Sequence, residues 1–500
     1  MTPGPLGTEA ATPPPSATPG GPGAAPARLE QTRTVFRPVP ILVTAIVALA
    51  VALTPIAGLS PKAHLTLVIL VAAGGLWMTE SLPVAITALF IPILGIALGV
   101  TDARGAFAGF GDPIVFLFFG TFLLTEAAGQ HGLIARLARS VLASDAVRRK
   151  PARLLWAIAF LGCGLSAWMN NTATTALLLP LALTAESFGS RRLLVGILLM
   201  TAYAPSLGGF ATPVGTAPNL IGLRLLEQAT GHRPSFAQWC AVFAPLAVIC
   251  TVLTSIWLRR GGGEAHSAGA TAAQPEARPW SLAERTLVPL FLVVVLLWIV
   301  PGILAGTPLQ GAPWLKSWQA RLPEPAVPVL GALALFLLPS GAPGGERILD
   351  VSVLKRVDWS TLLLFGGGLS LGSMMFDSGL ARALGEGIFA AMPVGGTYGI
   401  VLAATLMAVL VSEMTSNTAS ASLVVPVVLA LAQAAHVDPV KPTLAATVAC
   451  SFGFMLPVST PPNALVFATG RVRIREMIAF GLLLDLGGVL AVSSWVTLFG

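Results

Sequence analysis

Long, uncharged apolar segments recur along almost the whole of this 500-residue chain. Charged residues make up 10% of the chain and apolar residues 55%, whereas about a quarter of a soluble protein is charged. One globular core could not bury so much apolar surface, so the segments of about twenty residues predict helices that cross a lipid bilayer. We therefore expect an all-α polytopic membrane protein, and an ordinary soluble enzyme is excluded.

The basic residues that give the net charge of +7 are scattered at the ends of apolar segments. They form no basic stripe interleaved with aromatic residues, so we expect no nucleic-acid partner. The cysteines lie inside apolar segments without metal-binding spacing, which predicts small buried side chains rather than a zinc site. These are Cys163, Cys240, Cys250 and Cys450.

The order of polar and apolar segments predicts the organisation of the chain. Residues 1–37 are rich in Pro, Gly, Ala and Thr and predict a disordered cytoplasmic tail. The later parts are scaffold helices at 38–112, a first repeat at 113–258, a cytoplasmic loop at 259–285, scaffold helices at 286–359 and a second repeat at 360–500.

Two apolar segments are interrupted at their centres by a polar tip. In the first, the arms have about 16 and 12 residues, roughly 24 and 18 Å of helix, against a hydrocarbon core of about 30 Å. A re-entrant hairpin therefore fits better, and two short tilted helices with a polar surface loop remain the alternative. The segments are 154–184, with Asn170, Asn171 and Thr172 at its tip, and 398–435, with Ser416, Asn417 and Thr418.

Two further segments, 193–226 and 442–470, are too long for one plain span and too short for two. Each is broken by Pro with Gly, Thr or Ser, at Val214–Pro218 and Val458–Pro462, which predicts discontinuous helices. Counting each as one crossing and each hairpin as none predicts about eleven transmembrane helices. Most of the 29 basic residues then share one face with the amino terminus, which predicts a cytoplasmic amino terminus and an external carboxyl terminus.

The motifs recur at a nearly constant offset. Ser166 and Ser412 lie 246 positions apart, as do Asn171 and Asn417, while Asn219 and Asn463 lie 244 apart. Two tandem copies of one unit are therefore present. An odd number of predicted crossings separates the hairpins, so the copies are expected to be inverted in the membrane. Inverted repeats with interrupted helices predict a transport site near the bilayer centre.

The polar tips carry the chemistry that such a site needs. Asn, Ser and Thr cap helix starts, where exposed N–H groups carry partial positive charge, so two facing tips form a pocket for an anion without a buried Arg. Carbonyls of the preceding half-helices, with hydroxyl and amide oxygens, suit a small alkali cation. Thr216 and Thr460 occupy N-cap positions, and Pro461 follows where its missing N–H costs nothing.

These motifs resemble the divalent anion and sodium symporter family, whose members carry dicarboxylates, citrate or sulfate. The resemblance covers residues 39 to 500 and implies a homodimer in which a transport part moves as an elevator against a scaffold. It is carried by Trp77–Pro83, Trp168–Thr174, Val214–Asn219, Thr415–Ala419 and Leu456–Ala464.

The resemblance also implies roles for individual residues. Substrate would contact Asn170, Asn171, Thr172, Val214, Thr216, Ser416, Asn417, Thr418, Thr460 and Pro461. One sodium ion would be bound by Ser166, Asn171 and the Gly215 carbonyl, and another by Ser412, Asn417 and the carbonyls of Thr415 and Ser459. This sequence departs from the family at three positions: Asn170 replaces Ser, Ala217 replaces Pro, and Ser412 stands where Thr is common.

We therefore expect a sodium-coupled carrier that moves a small divalent anion, such as the C4 dicarboxylate succinate, across an inner or plasma membrane into the cytoplasm. A sulfate or tricarboxylate carrier and a sodium-independent exchanger remain alternatives. So does a membrane-embedded serine hydrolase, because Ser370 lies in a G-x-S-x-G pattern. Ionisable residues in or beside apolar segments are further functional candidates: Glu126, Asp377, Glu413 and Asp485.

Overall fold

The computed structural model describes residues 38–142, 147, 151–260, 279–391 and 395–500. The predicted tail at 1–37 and most of the predicted loop at 259–285 lie outside these ranges. Every regular element within them is helical, and the one β pairing there is an isolated bridge between Pro339 and Arg347. The prediction of an all-α chain is confirmed.

Four helices precede the first repeat. The second of them begins at a Ser60 cap, whose hydroxyl accepts from the Ala63 N–H, and ends where Glu80 takes a left-handed conformation with φ of 45°. The helices are α1 (Pro38–Leu53), α2 (Pro61–Thr79), α3 (Val84–Ala97) and α4 (Ala103–Phe107), with a 3₁₀ turn at Ala108–Gly111.

The first hairpin and the first broken helix follow. The hairpin arms are α7 and α8, and the broken helix consists of α9 and α10, of which α9 is buried along nearly its whole length. The helices are α5 (Pro113–Gln130), α6 (Leu133–Leu142), α7 (Pro151–Ser166), α8 (Asn171–Leu183), α9 (Arg191–Gly209), α10 (Ala217–Thr230) and α11 (Phe236–Arg260), with a 3₁₀ turn at Thr184–Phe188.

The connection to the second repeat contains one long helix that begins earlier than predicted. Its start is a capping box, in which the Ser281 hydroxyl accepts from the Glu284 N–H and the Glu284 carboxylate accepts from the Ser281 N–H. The predicted loop therefore ends before residue 285. The helices are α12 (Leu282–Ala305), α13 (Pro313–Arg321) and α14 (Ala326–Leu335), with 3₁₀ turns at Pro308–Gly311 and Val351–Lys355.

The second repeat has the same order of elements as the first. Its hairpin arms are α17 and α18, and its broken helix is α19 with α20. The helices are α15 (Trp359–Asp377), α16 (Leu380–Ala391), α17 (Gly396–Met414), α18 (Asn417–Ala434), α19 (Val440–Ala449), α20 (Pro461–Ala468) and α21 (Ile474–Phe499).

Nine helical stretches among the described residues are long and apolar enough to cross a membrane, by length and composition. Both arms of the second hairpin, α17 and α18, are among them, with 19 and 18 residues. The argument that the arms are too short to cross the bilayer therefore holds for the first hairpin, whose arms have 16 and 13 residues, and does not hold for the second. The count of eleven spans stays a prediction.

The repeat is visible in the hydrogen bonds that shape the broken helices. The Asn219 side-chain N–H groups donate to the carbonyls of Gly209 (3.0 Å) and Thr212 (2.8 Å). Asn463, 244 positions later, donates in the same way to Gly453 (2.9 Å) and Leu456 (3.0 Å). These bonds satisfy carbonyls that the interrupted helices leave without partners, so each Asn holds its break in shape.

Cysteine burial agrees with the sequence interpretation. Cys163, Cys250 and Cys450 are buried and Cys240 is half-buried, and all four thiols are free. None of them belongs to a cluster of metal-ligating side chains among the described residues.

We predict that Asn219→Ala and Asn463→Ala each lower the stability of the protein by about 1–3 kcal/mol, because each leaves two buried carbonyls unsatisfied. Thermal unfolding in detergent, followed by tryptophan fluorescence, measures this as a lower melting temperature. Thr286→Ala is the control, since its exposed hydroxyl only donates to the Leu282 carbonyl of its own helix. Melting temperatures equal to that of the control would contradict this account of the breaks.

Candidate functional site

The two hairpin tips and the two helix breaks line one chamber of about 220 Å³. The structure thus brings together residues from four separate parts of the chain, as the sequence interpretation requires. Their role in binding stays a prediction. All ten predicted substrate contacts line this chamber: Asn170, Asn171, Thr172, Val214, Thr216, Ser416, Asn417, Thr418, Thr460 and Pro461.

Four helix amino termini meet at the chamber, those of α8, α10, α18 and α20. The Asn170 side chain caps α8 by accepting from the Thr172 N–H at 2.7 Å, and the Ser416 hydroxyl caps α18 by accepting from the Ala419 N–H at 3.3 Å. The Thr460 hydroxyl caps α20, while Thr216 holds the N-cap position of α10 without a side-chain cap bond. Each terminus contributes partial positive charge.

Basic side chains do not account for the electrostatics of the chamber. Of the described residues that line it, none is Lys, Arg or His, and one, Asp358, is acidic. Both Asp358 carboxylate oxygens accept hydrogen bonds from Thr361, one from its N–H at 3.1 Å and one from its hydroxyl at 2.6 Å. The positive potential in this chamber therefore comes from helix termini and amide N–H groups rather than from basic side chains.

Asp358 is a lining residue that the sequence interpretation missed, as are Thr361 and the aromatic residues Phe118 and Phe122. The repeat offset was a usable signal for Asp358, because it stands 246 positions after Asp112. Both aspartates cap helix starts, and Asp112 accepts from the Ile114 N–H at 3.0 Å. Phe118 and Phe122 line the chamber because of the way α5 packs, and no sequence motif predicts that packing.

Asn171 and Asn417 are held in matching ways by buried serines. The Ser166 hydroxyl donates to the Asn171 side-chain oxygen at 2.6 Å, and the Ser412 hydroxyl donates to that of Asn417 at 3.1 Å. Within the described ranges, the NH₂ group of neither asparagine donates to a protein acceptor. Each carboxamide therefore has its oxygen fixed on the serine side and its donors available to the chamber.

Oxygen atoms converge beside Gly215 at the first tip. A Cβ atom placed on Gly215 would lie 2.9 Å from the Ser166 carbonyl oxygen and 3.0 Å from that of Ala167, and it would overlap the Gly209 carbonyl oxygen. The Asn171 side-chain oxygen points at the same region, 2.8 Å from a Cβ built on Gly209. This first oxygen cluster offers the hard ligands that a small cation prefers.

A second oxygen cluster occupies the equivalent place at the other tip. The single hydrogen of the Ser412 hydroxyl is shared between the Asn417 side-chain oxygen and the Cys450 carbonyl oxygen, which lies nearer, at 2.7 Å. The Ser412 carbonyl oxygen lies 3.2 Å from a Cβ built on Gly453. The Ser459 hydroxyl donates to the Glu413 carbonyl at 3.0 Å, and the Thr415 hydroxyl bonds back to its own helix. The predicted ligand residues Ser166 and Asn171 thus belong to the first oxygen cluster, and Ser412 and Ser459 to the second. Cation binding by them, and by the carbonyls of Gly215, Thr415 and Ser459, stays a prediction.

Comparison with known proteins identifies the family. A family model described as a citrate transporter, CitMHS, matches residues 75–449. The chain belongs to this citrate transporter family. An uncharacterized transporter of Haemophilus influenzae is 33% identical over 88% of this chain and 92% of its own length. The sodium-dependent dicarboxylate transporter SdcS of Staphylococcus saprophyticus is 28% identical over 87% of this chain and 85% of its own length.

Solved structures show the same fold for this member of the citrate transporter family. The Alcanivorax borkumensis YdaH transporter matches with a TM-score of 0.57 and 16% identity, covering 92% of this chain and 98% of that one. Neisseria gonorrhoeae MtrF matches with a TM-score of 0.56 and 14% identity, covering 92% and 93%. The family and the membrane-transporter fold that the motifs predicted are confirmed.

Ser370 does not have the setting of a hydrolase nucleophile. Its side chain is buried within α15, where its hydroxyl donates to the carbonyls of Ala106 (2.7 Å) and Gly366 (2.9 Å). This bond between Ser370 and Ala106 fastens α15 to the neighbouring α4. The G-x-S-x-G match is therefore a packing feature of a transporter, and the hydrolase alternative was wrong.

We predict that the purified protein does not react with a fluorophosphonate probe for serine hydrolases, because the Ser370 hydroxyl is buried and directed at two carbonyls. Ser370→Ala is expected to cost about 1 kcal/mol of stability through the lost hydrogen bond. The measurement is the mass of the probe-treated protein, determined by mass spectrometry. A covalent adduct on Ser370 would contradict this interpretation.

Proposed function

We propose that this protein is a sodium-coupled symporter that carries a small divalent anion, a C4 dicarboxylate such as succinate, into the cytoplasm. The observation that carries the proposal is the meeting of four helix amino termini at a chamber without basic side chains, beside two oxygen clusters. The relatives named sodium-dependent dicarboxylate transporter support both the ion and the solute.

The paired tips explain why a dianion suits the chamber. Each tip offers one side-chain amide with unused donors, Asn171 on one side and Asn417 on the other, next to a helix start. An anion with a carboxylate at each end can accept from both tips at once. In the first tip the larger Asn170 takes the place of a serine, which reduces the room for a branched solute.

The same two asparagines explain how sodium would be coupled to the anion. The Asn171 oxygen faces the first oxygen cluster, and its NH₂ group is available to the chamber. A cation bound to that oxygen polarises the carboxamide and orders the tip, so the anion meets a prepared donor. Because such coupling is reciprocal, the bound anion also raises the affinity for sodium.

The loaded unit would then change sides as an elevator, with the two hairpins and two broken helices moving together against the scaffold helices in a homodimer.

Citrate is the second candidate substrate, because the matching family model is described as a citrate transporter. Uptake by proteoliposomes separates these possibilities. We expect labelled succinate to accumulate only with an inward sodium gradient and to be displaced by unlabelled succinate more strongly than by citrate or sulfate. Uptake unchanged by replacing sodium with choline would contradict sodium coupling.

We predict that Asn171→Ala and Asn417→Ala each reduce succinate uptake at least about tenfold, because each removes a charge-assisted donor to the anion together with a cation ligand. Gln433→Ala is the matched control, since Gln433 is exposed at the far end of α18. Uptake is measured after equal incorporation into liposomes. Uptake like that of the control in both variants would refute the assignment of the tips.

We predict that Gly215→Ala abolishes the stabilisation of the protein by sodium. The new methyl group would overlap the Gly209 carbonyl oxygen and occupy the space between the Ser166 and Ala167 carbonyls. Gly164→Ala, in the first hairpin, is the control, because no described atom beyond the neighbouring backbone of its own helix lies within 4 Å of a Cβ there. Melting temperatures with and without sodium give the readout. A sodium shift in Gly215→Ala as large as in the control would show that the first oxygen cluster is not a sodium site.

A further inference from the structure

An apolar cavity of about 430 Å³ lies between α5, α6, α7 and α12, beside the first hairpin tip. It shares the lining residues Thr125, Trp168 and Met169 with the chamber. The Thr125 hydroxyl donates to the Thr121 carbonyl of its own helix at 2.9 Å, and the other described residues that line the cavity carry neither a charge nor a hydroxyl group. The cavity therefore suits an apolar ligand, and it adjoins the two residues that precede Asn170.

The cavity is open on a side where the protein would meet the bilayer. Leu137 of α6 is 46% exposed and Leu292 of α12 is 58% exposed, although both line the cavity. Gly164 of α7 is also exposed, and a Cβ atom built on it meets no described atom within 4 Å beyond the neighbouring backbone of its own helix. Because the bilayer is the solvent of these apolar helices and apolar cavities stay dry, this opening admits acyl chains rather than water.

A basic residue stands at one end of the cavity wall that α12 provides. Arg285, Val288, Leu292 and Val295 follow one another at intervals of three or four residues, which places them on one face of the helix. The last three line the cavity. Arg285 is exposed and forms no ion pair with a described residue. The stripe therefore joins a guanidinium group that has no ion-pair partner to an apolar wall.

The length of this stripe matches one leaflet of a bilayer. From Arg285 to Val295 the helix rises roughly 15 Å, at about 1.5 Å per residue, and half of a hydrocarbon core of about 30 Å is also about 15 Å. Trp280, which precedes α12 and lines the cavity, is an aromatic residue of the kind enriched at the membrane surface. A lipid with its headgroup at Arg285 can therefore extend one chain along the wall to the bilayer centre, where the hairpin tips are predicted.

The stretch of chain next to the opening is poorly suited to fill it. Residues 261–278, which lead to Trp280, contain no Val, Leu, Ile, Met, Phe, Tyr or Trp. They supply no side chain that is large and apolar enough for a cavity of this size. A lipid from the bilayer has both the apolar chain that the cavity needs and the negative charge that Arg285 attracts.

We propose that the cavity binds one acyl chain of an anionic phospholipid, with the phosphate of its headgroup at Arg285. The chain packs against Trp168 and Met169 and limits the movement of the backbone just before the Asn170 cap of α8. The bound lipid thus supports the first hairpin tip from outside the chamber. As a consequence, which rests on the proposed function, succinate uptake depends on anionic lipid.

The test uses phosphatidylglycerol with a photoreactive diazirine near the end of one acyl chain. The full-length protein is reconstituted with a trace of this lipid and irradiated, and the labelled peptides are identified by mass spectrometry. We expect the label on residues 164–169 and 288–295. Gly164→Trp places an indole in the cavity and Arg285→Gln removes the headgroup contact, so each should reduce this labelling about fivefold or more.

The matched control is Gly487→Trp, which adds the same side chain at an exposed glycine of α21. A Cβ atom on Gly487 also meets no described atom within 4 Å beyond the neighbouring backbone of its own helix, and Gly487 does not line the cavity. This variant should be labelled like the wild type. Succinate uptake is then compared in phosphatidylcholine liposomes with and without phosphatidylglycerol. We expect phosphatidylglycerol to raise uptake several-fold in the wild type and in Gly487→Trp, and to have no effect in Gly164→Trp.

The outcomes separate this inference from the proposed function. Labelling spread evenly over the exposed helix faces, or labelling unchanged by Gly164→Trp, overturns the lipid site. Equal labelling by a phosphatidylcholine probe overturns the assignment of an anionic headgroup to Arg285. A cross-link from Leu137 to a second copy of the chain also overturns the site, because a partner then fills the opening. Absence of succinate uptake in every lipid contradicts the proposed function, while the labelling still decides whether the lipid site exists.

Discussion

The amino termini of helices that begin inside a low-dielectric interior are the constraint on which the rest of the structure depends. A helix start exposes N–H groups that have no partner within the helix, and burying them is costly unless a cap or a ligand accepts from them. This fold places four such starts around one chamber and caps them only in part, with Asn170, Ser416 and Thr460. In the proposed mechanism, an anion accepts from the N–H groups that these caps leave without a partner.

Holding an anion with dipoles rather than with basic side chains has a functional benefit. A buried Arg or Lys would keep its full charge when the solute leaves, and an unpaired buried charge is costly. A helix start has only a partial positive charge, so the empty carrier has less charge to bury when it returns. In the proposed mechanism, sodium supplies full charge only in the loaded state. Asn171 and Asn417 would connect the two events, because the oxygen of each carboxamide accepts from a serine hydroxyl while its NH₂ group is left available to the chamber.

The local chemistry of the site was predictable from the sequence, because caps and breaks are local features. Asn170 and Ser416 cap the helices that their positions indicated, and the repeat offset recurs in the bonds of Asn219 and Asn463. Features that depend on tertiary packing were not predictable. The close approach of α21 to the second break is one of them, because a Cβ atom on Gly481 would overlap the Phe454 carbonyl group, and no spacing in the sequence shows that approach.

The most direct test of the central claim is an experimental structure of the protein determined with sodium and succinate. The account predicts density for the anion between the two hairpin tips, with its carboxylates within hydrogen-bonding distance of the Asn171 and Asn417 amides and with no Lys or Arg in contact. An anion bound outside this chamber, or held there by a basic side chain, would contradict it.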